Sequence, residues 1–332
     1  MPLTPYDGGM DTIIKPSRRP RYTRCSTGKR VTPDEREIIW FQKLWEHGPL
    51  PQKYLYAYTA HLTPSPGVVK NRLGDLFHED NTPHGGAYLE RPTQQNSVIT
   101  KYQDAVYEDD AAAELLLKDR GLIPHTSFPS KKTNYHHRFM AACITSSIEL
   151  ACRDAGLTFT PSEELLKRAP TGELKVPLTI AHGGHISNTP LIPDAYFGIR
   201  YGDQGVRTFL LEADRENEPI TRSNLDQTSY LRKILQYQKL LTRPARDKPA
   251  PYHDHFGIKS GMLVLTVTTS YAHMEHILAK VLELTGGRGS PYLLFKVCPN
   301  FADRLIVPPV LSGLLTAPWR RAGHADIDIS KP

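Results

Sequence analysis

Apolar side chains recur at helical spacing through the first third of the chain. Thr32-Pro33-Asp34-Glu35 reads as a helix start, with a capping hydroxyl, proline at the first helical position and acids in the first turn. Ile38, Phe41 and Trp45 then share a face until Gly48 stops the helix. A second helix, residues 51–62, buries Tyr54, Leu55 and Tyr58. After Thr63-Pro64-Ser65-Pro66, a third carries Val69, Leu73, Leu76 and Phe77 at i, i+4, i+7 and i+8. The period then changes to two. Residues 87–90 and 103–107 alternate as paired strands, with 92–101 as their loop, and a helix over 109–118 is ended by Gly121. Three helices, a tight turn before the third and a two-stranded wing describe a winged helix-turn-helix unit over 32–122.

A polar stretch, 123–134, with Pro124, Pro129 and Lys131-Lys132, separates this unit from the rest. Beyond it the pattern predicts a helix over 136–155 that buries Met140, Ile144 and Ile148, and a strand at 175–180. A hairpin follows, from Pro193-Asp194 through Gly202-Asp203-Gln204-Gly205 to Glu212-Ala213-Asp214. A helix over 225–241 carries Tyr230, Ile234, Tyr237 and Leu241. The unbroken apolar run 262–268 is typical of a strand covered on both faces. With the helix 271–284 and the strand 292–297 it forms a parallel, right-handed crossover. Residues 135–300 therefore read as an α/β domain, and 301–332 as an irregular tail.

Composition adds a direction. The 332 residues carry a net charge of +6, and Arg18, Arg19, Arg21, Arg24, Lys29 and Arg30 crowd into residues 1–31, which read as a basic disordered arm. Such an arm favours polyanions through counterion release. An apolar run able to serve as an export signal or membrane span is not visible, which places the protein in the cytoplasm without a membrane partner. Cys25, Cys143, Cys152 and Cys298 lack paired spacing and read as reduced thiols.

The acidic hairpin is the chemical centre of the sequence. Phe209 and Leu211 point one way, Glu212 lies beside them at the strand end, and Asp214 shares the side of Glu212 because alternate residues face alike. With Asp194 this makes a candidate catalytic trio, in which Asp194 and Glu212 would hold Mg²⁺ or Mn²⁺. The plainer alternative is a set of solvated strand-end acids paired with Arg207, Arg215 or Arg222. On the third helix, Asn71, Gly74 and His78 are expected outward, flanked by Lys70 and Arg72. Asparagine reads adenine and the cations hold phosphate or guanine, whereas Asp75 would repel phosphate. The DNA-binding candidates are thus Arg18, Arg19, Arg21, Arg24, Lys70, Asn71 and Arg72. His136 and His137 open the helix beside the acids. Of the other histidine groups, His182 with His185, His253 with His255, and His273 with His276, most members read as surface imidazoles.

Tyr135-His136-His137, Pro193-Asp194-Ala195-Tyr196-Phe197, Leu211 to Pro219 and Leu263 to Thr268 together resemble the plasmid replication-relaxation family, over residues 32–297. The resemblance implies a bacterial protein of plasmids or other mobile elements, with a winged helix followed by a restriction-endonuclease-like α/β domain. That domain is similar, more distantly, to the PD-(D/E)XK nucleases, whose pattern would fall on Asp194, Glu212 and position 214. The departure is Asp214, where those nucleases carry lysine; on this resemblance Arg215, Lys233 or Lys239 would supply the charge from elsewhere and Glu149 would add a ligand.

Three readings follow. The first is a mobile-element protein that docks on duplex DNA with the α/β domain as scaffold. The second is a metal-dependent DNA endonuclease using Asp194 and Glu212. The third is a transcriptional regulator or protein–protein adaptor. Partners on these readings are double-stranded DNA, a second copy of the chain, or other proteins of the mobile element.

Overall fold

Asp34, not Thr32, starts the first helix. Its carboxylate accepts from the Arg36 amide at 3.0 Å, and its own amide donates to Glu37 Oε2 at 2.8 Å, which closes a capping box. The Thr32 carbonyl instead accepts from Arg72. The computed structural model describes residues 19–80, 85–96, 103–124, 134–303 and 306–332. In the N-terminal unit, α1 (Glu35–His47), α2 (Gln52–Thr59) and α3 (Pro66–His78) are followed by α4 (Ala111–Asp119). A small antiparallel sheet accompanies them, β1 (Leu50–Pro51), β2 (Leu89–Glu90) and β3 (Val106–Asp109), in the order β1-β3-β2. The two strands expected within 87–90 and 103–107 are present in part as β2 and β3, joined by β1, which like β2 has two residues.

α5 (Tyr135–Asp154) is buried along most of its length. One side meets α1 and α2; the other meets the large sheet, so a single apolar core runs from Trp40 and Phe41 through Ile144 and Ile148 to Phe209 and Leu265. The sequence places the boundary between the two units at 123–134; α5, just beyond it, packs on the N-terminal helices as well as on the large sheet. Polar bonds tie the parts as well: the Tyr54 hydroxyl donates to the Pro309 carbonyl at 2.7 Å, and Ser147 Oγ accepts from the Leu311 amide at 3.0 Å.

The seven-stranded sheet has the order β12-β11-β10-β9-β8-β7-β4. Its strands are β4 (Thr158–Thr160), β7 (Ala195–Arg200), β8 (Val206–Ala213), β9 (Met262–Thr268), β10 (Leu293–Val297), β11 (Trp319–Arg321) and β12 (His324–Ile327). A short helix α6 (Ser162–Leu166) follows β4; β8, β9 and β10 are parallel, connected by α7 (Tyr230–Leu241) with α8 (Pro251–Phe256) and by α9 (Tyr271–Leu284), and every residue of β9 is buried, as its unbroken apolar run requires. Alternation sends Phe209, Leu211 and Ala213 toward α5, and Tyr196, Leu210 and Val264 toward Ile234 and Tyr237 of α7 and Ile277 of α9.

Two expectations are corrected here. The stretch 175–180 is not a strand of this sheet. Val176 makes one bridge to Leu191, and the pairing falls on β5 (Ile180–His182) and β6 (His185–Ser187), because Gly183 and Gly184, at φ 56° and 81°, supply the hairpin turn. The tail after residue 300 is not irregular. It forms α10 (Gly313–Thr316), and β11 and β12 extend the sheet beyond β10, with Trp319 fully buried under the Lys296 ammonium. Strands of three and four residues with an exposed outer edge carry too little alternation to register in the sequence. Among the described residues no helix is long and apolar enough to cross a membrane.

Candidate functional site

In the β7–β8 hairpin Ala195 pairs with Leu211, so the next position in register sets Asp194 opposite Glu212 at the end of the two strands. Both continue the face that carries Tyr196 and Leu210, the face covered by α7. Along α7, Tyr230, Lys233 and Tyr237 share a side, and Lys233 and Tyr237 meet Glu212. Lys233 Nζ lies 2.9 Å from Glu212 Oε2 and 3.1 Å from Glu218 Oε2, while the Tyr237 hydroxyl donates to Glu212 Oε1. Asp194 Oδ1 lies 2.6 Å from His137 Nε2, and Oδ2 accepts the Ala213 amide at 2.7 Å. The first turn of α5 thus reaches the strand end from the opposite layer.

The electrostatics follow from burial. Glu212 is 1% exposed; burial, reinforced by the facing Asp194, pushes its carboxyl up to about 7 against the pull of Lys233 and Tyr237. Burial works against the Lys233 ammonium, yet Glu212, Glu218 and Asp194 together raise its pKa above the ordinary lysine range. His137 is raised by its hydrogen bond to Asp194, with burial opposing.

Asp214 leaves this group. Its Oδ2 is 2.7 Å from His273 Nε2 of α9 and its Oδ1 accepts the Glu216 amide at 2.8 Å. The hydrogen bond to Asp214 raises His273, again against burial. His273 is therefore half-buried and engaged, in contrast to the surface imidazole expected. Glu216, at φ 59°, stands in the left-handed region with its carboxylate on the Thr269 hydroxyl. The expected convergence of Asp194, Glu212 and Asp214 on one point is thus not found; two acids face each other and the third serves α9.

Glu149 is also elsewhere. Twelve residues along α5 from His137 is about 18 Å, and there Glu149 accepts from Lys43 and Tyr58 and lies 2.6 Å from His47 Nε2. Burial would raise its carboxyl, but His47 and Lys43 outweigh it and hold it down at about 2. Among the described residues, the group of three whose ligand atoms approach within 4.8 Å is Glu46, His47 and Glu149. Lys43 Nζ, 2.6 Å from both glutamates, already supplies the cation there. His136 and Arg215 line a shallow crevice with Phe139, Phe301 and Asp303.

On the nucleic-acid side, Arg18 lies outside the described residues. Residues 19–31 are not a disordered arm but a strap across the C-terminal half of α3. Arg19 pairs with Asp75 at 2.7 Å and Glu79 at 2.8 Å, Lys29 pairs with Asp75, and Arg24 pairs with Asp110 and donates to the Phe77 and Leu89 carbonyls. Arg21 donates to the Gln103 carbonyl. His78, expected outward, is buried beneath the strap with its Nδ1 accepting the Cys25 amide at 3.2 Å. Arg72 is held by Glu37 and the Thr32 carbonyl. Lys70 and Asn71 remain exposed near the start of α3.

Sequence reasoning undervalued Lys233 and missed Tyr237, Glu218 and His273. A signal for Lys233 was present: a lysine standing three and four residues from two tyrosines on the buried stripe of α7 needs an anion to face. Carboxylates are the ligand type that Mg²⁺ or Mn²⁺ takes, but all four oxygens of this pair are engaged, those of Glu212 by Lys233 and Tyr237 and those of Asp194 by His137 and the Ala213 amide, so an ion there would have to displace these partners. No family model, characterised protein or solved structure matches this chain.

Proposed function

We propose that the protein docks on duplex DNA through a winged-helix unit, as a mobile-element protein of the replication-relaxation type. The element order α1-β1-α2-α3-β2-β3, with β3 central in an antiparallel sheet and Lys70 and Asn71 exposed on α3, is what supports it. The reading narrows the docking face to the N-terminal half of α3, where helices of this class meet base edges. A gel-shift titration tests it. Affinity is expected to fall steeply with salt; Lys70→Ala should lower the slope of log K against log salt by about 1, and Asn71→Ala should cost about 1–3 kcal/mol at a preferred sequence only. Absence of duplex affinity at low salt would end this reading.

A second reading, metal-dependent endonuclease, is favoured by one observation: the Lys233 ammonium lies 2.9 Å from Glu212. The lysine missing at position 214 has a counterpart arriving from α7. In this reading Asp194 and Glu212 would hold the ion, whose chemistry when bound would be to activate a water and offset phosphate charge, and Lys233 would face the transition-state charge. Supercoiled plasmid incubated with the protein and Mn²⁺ is expected to be nicked, and Asp194→Ala to abolish nicking. Equal nicking by the variant would assign the activity to a contaminant.

A further inference from the structure

Toward the turn of the β7–β8 hairpin, away from Asp194 and Glu212, three strands bring Thr160 of β4, Gly198 of β7 and Thr208 of β8 abreast. Without a side chain on Gly198, Val206, Thr160 and Leu165 close over the strand; an added Cβ would meet them at 3.1, 3.5 and 3.6 Å. Together with Phe256 at the end of α8 and Ile258 beyond it, these residues enclose a cavity of about 200 Å³ that opens past Arg168, Arg200 and Lys259. Thr208 lines the cavity with 1% of its surface exposed, and its Oγ1 has no hydrogen-bond partner among the described residues. A hydroxyl withdrawn from water without a partner costs free energy, so few persist in folded chains without a use. Arg200 and Lys259, both exposed, make no ion pair among the described residues, whereas Arg168 pairs with Glu164 at 2.6 Å.

We propose that this cavity binds a small organic anion, an apolar body with a single carboxylate or phosphate head, at a site that depends on neither the DNA-docking nor the endonuclease reading. Gly198 pairs with Thr208, so Arg200, two residues along β7, is the diagonal neighbour of Thr208 on the same face, within reach of one shared head group. The head accepts from the Thr208 hydroxyl and the Arg200 guanidinium, with Lys259 across the mouth, and the body lies against Leu165, Val206 and Phe256. A cavity of ~150 Å³ takes a benzene ring, so about 200 Å³ holds one ring or a short chain beneath its head group. The walls are fixed. Thr171 Oγ1 donates to the His255 carbonyl at 3.1 Å, His255 Nε2 lies 2.9 Å from the Glu173 carbonyl, and Gly257 packs so closely on Pro170 that a Cβ there would come within 2.8 Å of it. The segment after α6 and the turn after α8 are thereby bonded to each other over the sheet, which keeps the cavity from collapsing onto Thr208.

Calorimetry on the full-length chain with benzoate, phenyl phosphate and the neutral benzamide is the test. At least one of the two anions is expected to bind at a single site in the millimolar range or tighter, as a ligand of about ten heavy atoms allows. It should bind roughly tenfold more tightly than benzamide, the difference that charge-assisted hydrogen bonds make. The tighter of the two anions distinguishes a carboxylate from a phosphate head. Thr208→Val keeps the outline of the side chain and removes the hydroxyl; it should melt no lower than wild type, because the free chain does not use that hydroxyl, and should weaken the anion roughly tenfold. Arg200→Gln, at the exposed rim, carries the same expectation without touching the core. Failure of both anions to bind at millimolar concentration overturns the site. Benzamide binding as tightly as benzoate overturns the anionic class, and wild-type affinity in both variants overturns the assignment by placing the bound anion elsewhere on the chain.

Discussion

Replacing Lys233 with alanine is expected to cost about 3–5 kcal/mol of folding stability at pH 8, the range for removing one partner of a buried ion pair. Glu212, 1% exposed in the native chain, would keep the Tyr237 hydroxyl on one oxygen and Asp194 opposite but lose its countercharge. The cost depends on pH with a definite sign. The folded-state pKa of Glu212 is raised from 4.5 to about 7, so the folded chain binds a proton the unfolded chain releases; this favours folding below pH 4.5 and is lost as pH rises through 7. Without Lys233, whose charge lowers that pKa, Glu212 must protonate still more readily. The penalty should therefore be largest above pH 7 and should shrink toward pH 5. Urea unfolding of the variant at pH 5 and pH 8 measures it. A second variant, Glu212→Gln with Lys233→Met, removes both charges and should recover most of the loss. An equal loss at the two pH values, or no recovery in the double variant, would refute the buried-pair account.

Glu79 is the second position where a single change should matter. It is fully buried and accepts from Arg19 at 2.8 Å, the Ser26 hydroxyl at 2.7 Å, and the Thr27 amide and hydroxyl at 3.0 and 2.9 Å. Glu79→Ala leaves those donors without their acceptor and should release the strap at a cost of about 2–3 kcal/mol. Cys25 lies in the strap and is exposed, whereas Cys143, Cys152 and Cys298 are buried. A fluorophore on Cys25 thus reports on the strap, and its anisotropy should drop in the variant.

Acidification should act in the same direction. Burial, helped by Arg91 and Arg19, lowers His78 from 6.5 to about 4, and its unprotonated Nδ1 is what accepts the Cys25 amide. A base with a depressed folded pKa supplies stability above pH 6.5 that is lost as pH falls toward 4. For Asp75 and Glu79 burial alone would raise the carboxyls, but the bonds from Lys29 and Arg19 to Asp75, and from Ser26 and Thr27 to Glu79, outweigh it and lower both; their share is lost only below 3.8 and 4.5. Anisotropy of the Cys25 label should therefore begin to fall below pH 6.5 and collapse near pH 4. A single transition confined below pH 4 would exclude His78 from the clasp. Because Arg19, Arg24 and Lys29 are engaged within the chain, duplex phosphate would have to compete for them, and the DNA-docking proposal therefore turns on the exposed Lys70 and Asn71.

Much of the architecture was legible because burial leaves a period. The stripes of α1, α3, α5, α7 and α9, the parallel strands β9 and β10 and the β7–β8 hairpin all appear where apolar spacing puts them. What escaped has physical causes. β4, β11 and β12 are too short to show alternation. The start of α1 moved because two acids, Asp34 and Glu37, cap it better than a threonine. The double-glycine turn overrode the apolar run before it.

By itself, the sequence determined which residues share a face: alternation set Glu212 with Asp214, the hairpin turn set Asp194 against Glu212, and helical spacing put Lys233 between Tyr230 and Tyr237. Those are local rules of one or two turns, and they hold before any packing. Only the tertiary structure decided partners. Sharing a face does not fix reach, so Asp214 went to His273 once α9 packed beside β8, Glu149 went to Lys43 and His47 once α5 met α1, and the basic arm folded onto the acids of α3. In each case a buried charge took the nearest opposite charge delivered by a distant element, because leaving it alone in a water-poor interior costs more than ordering the segment that carries its partner.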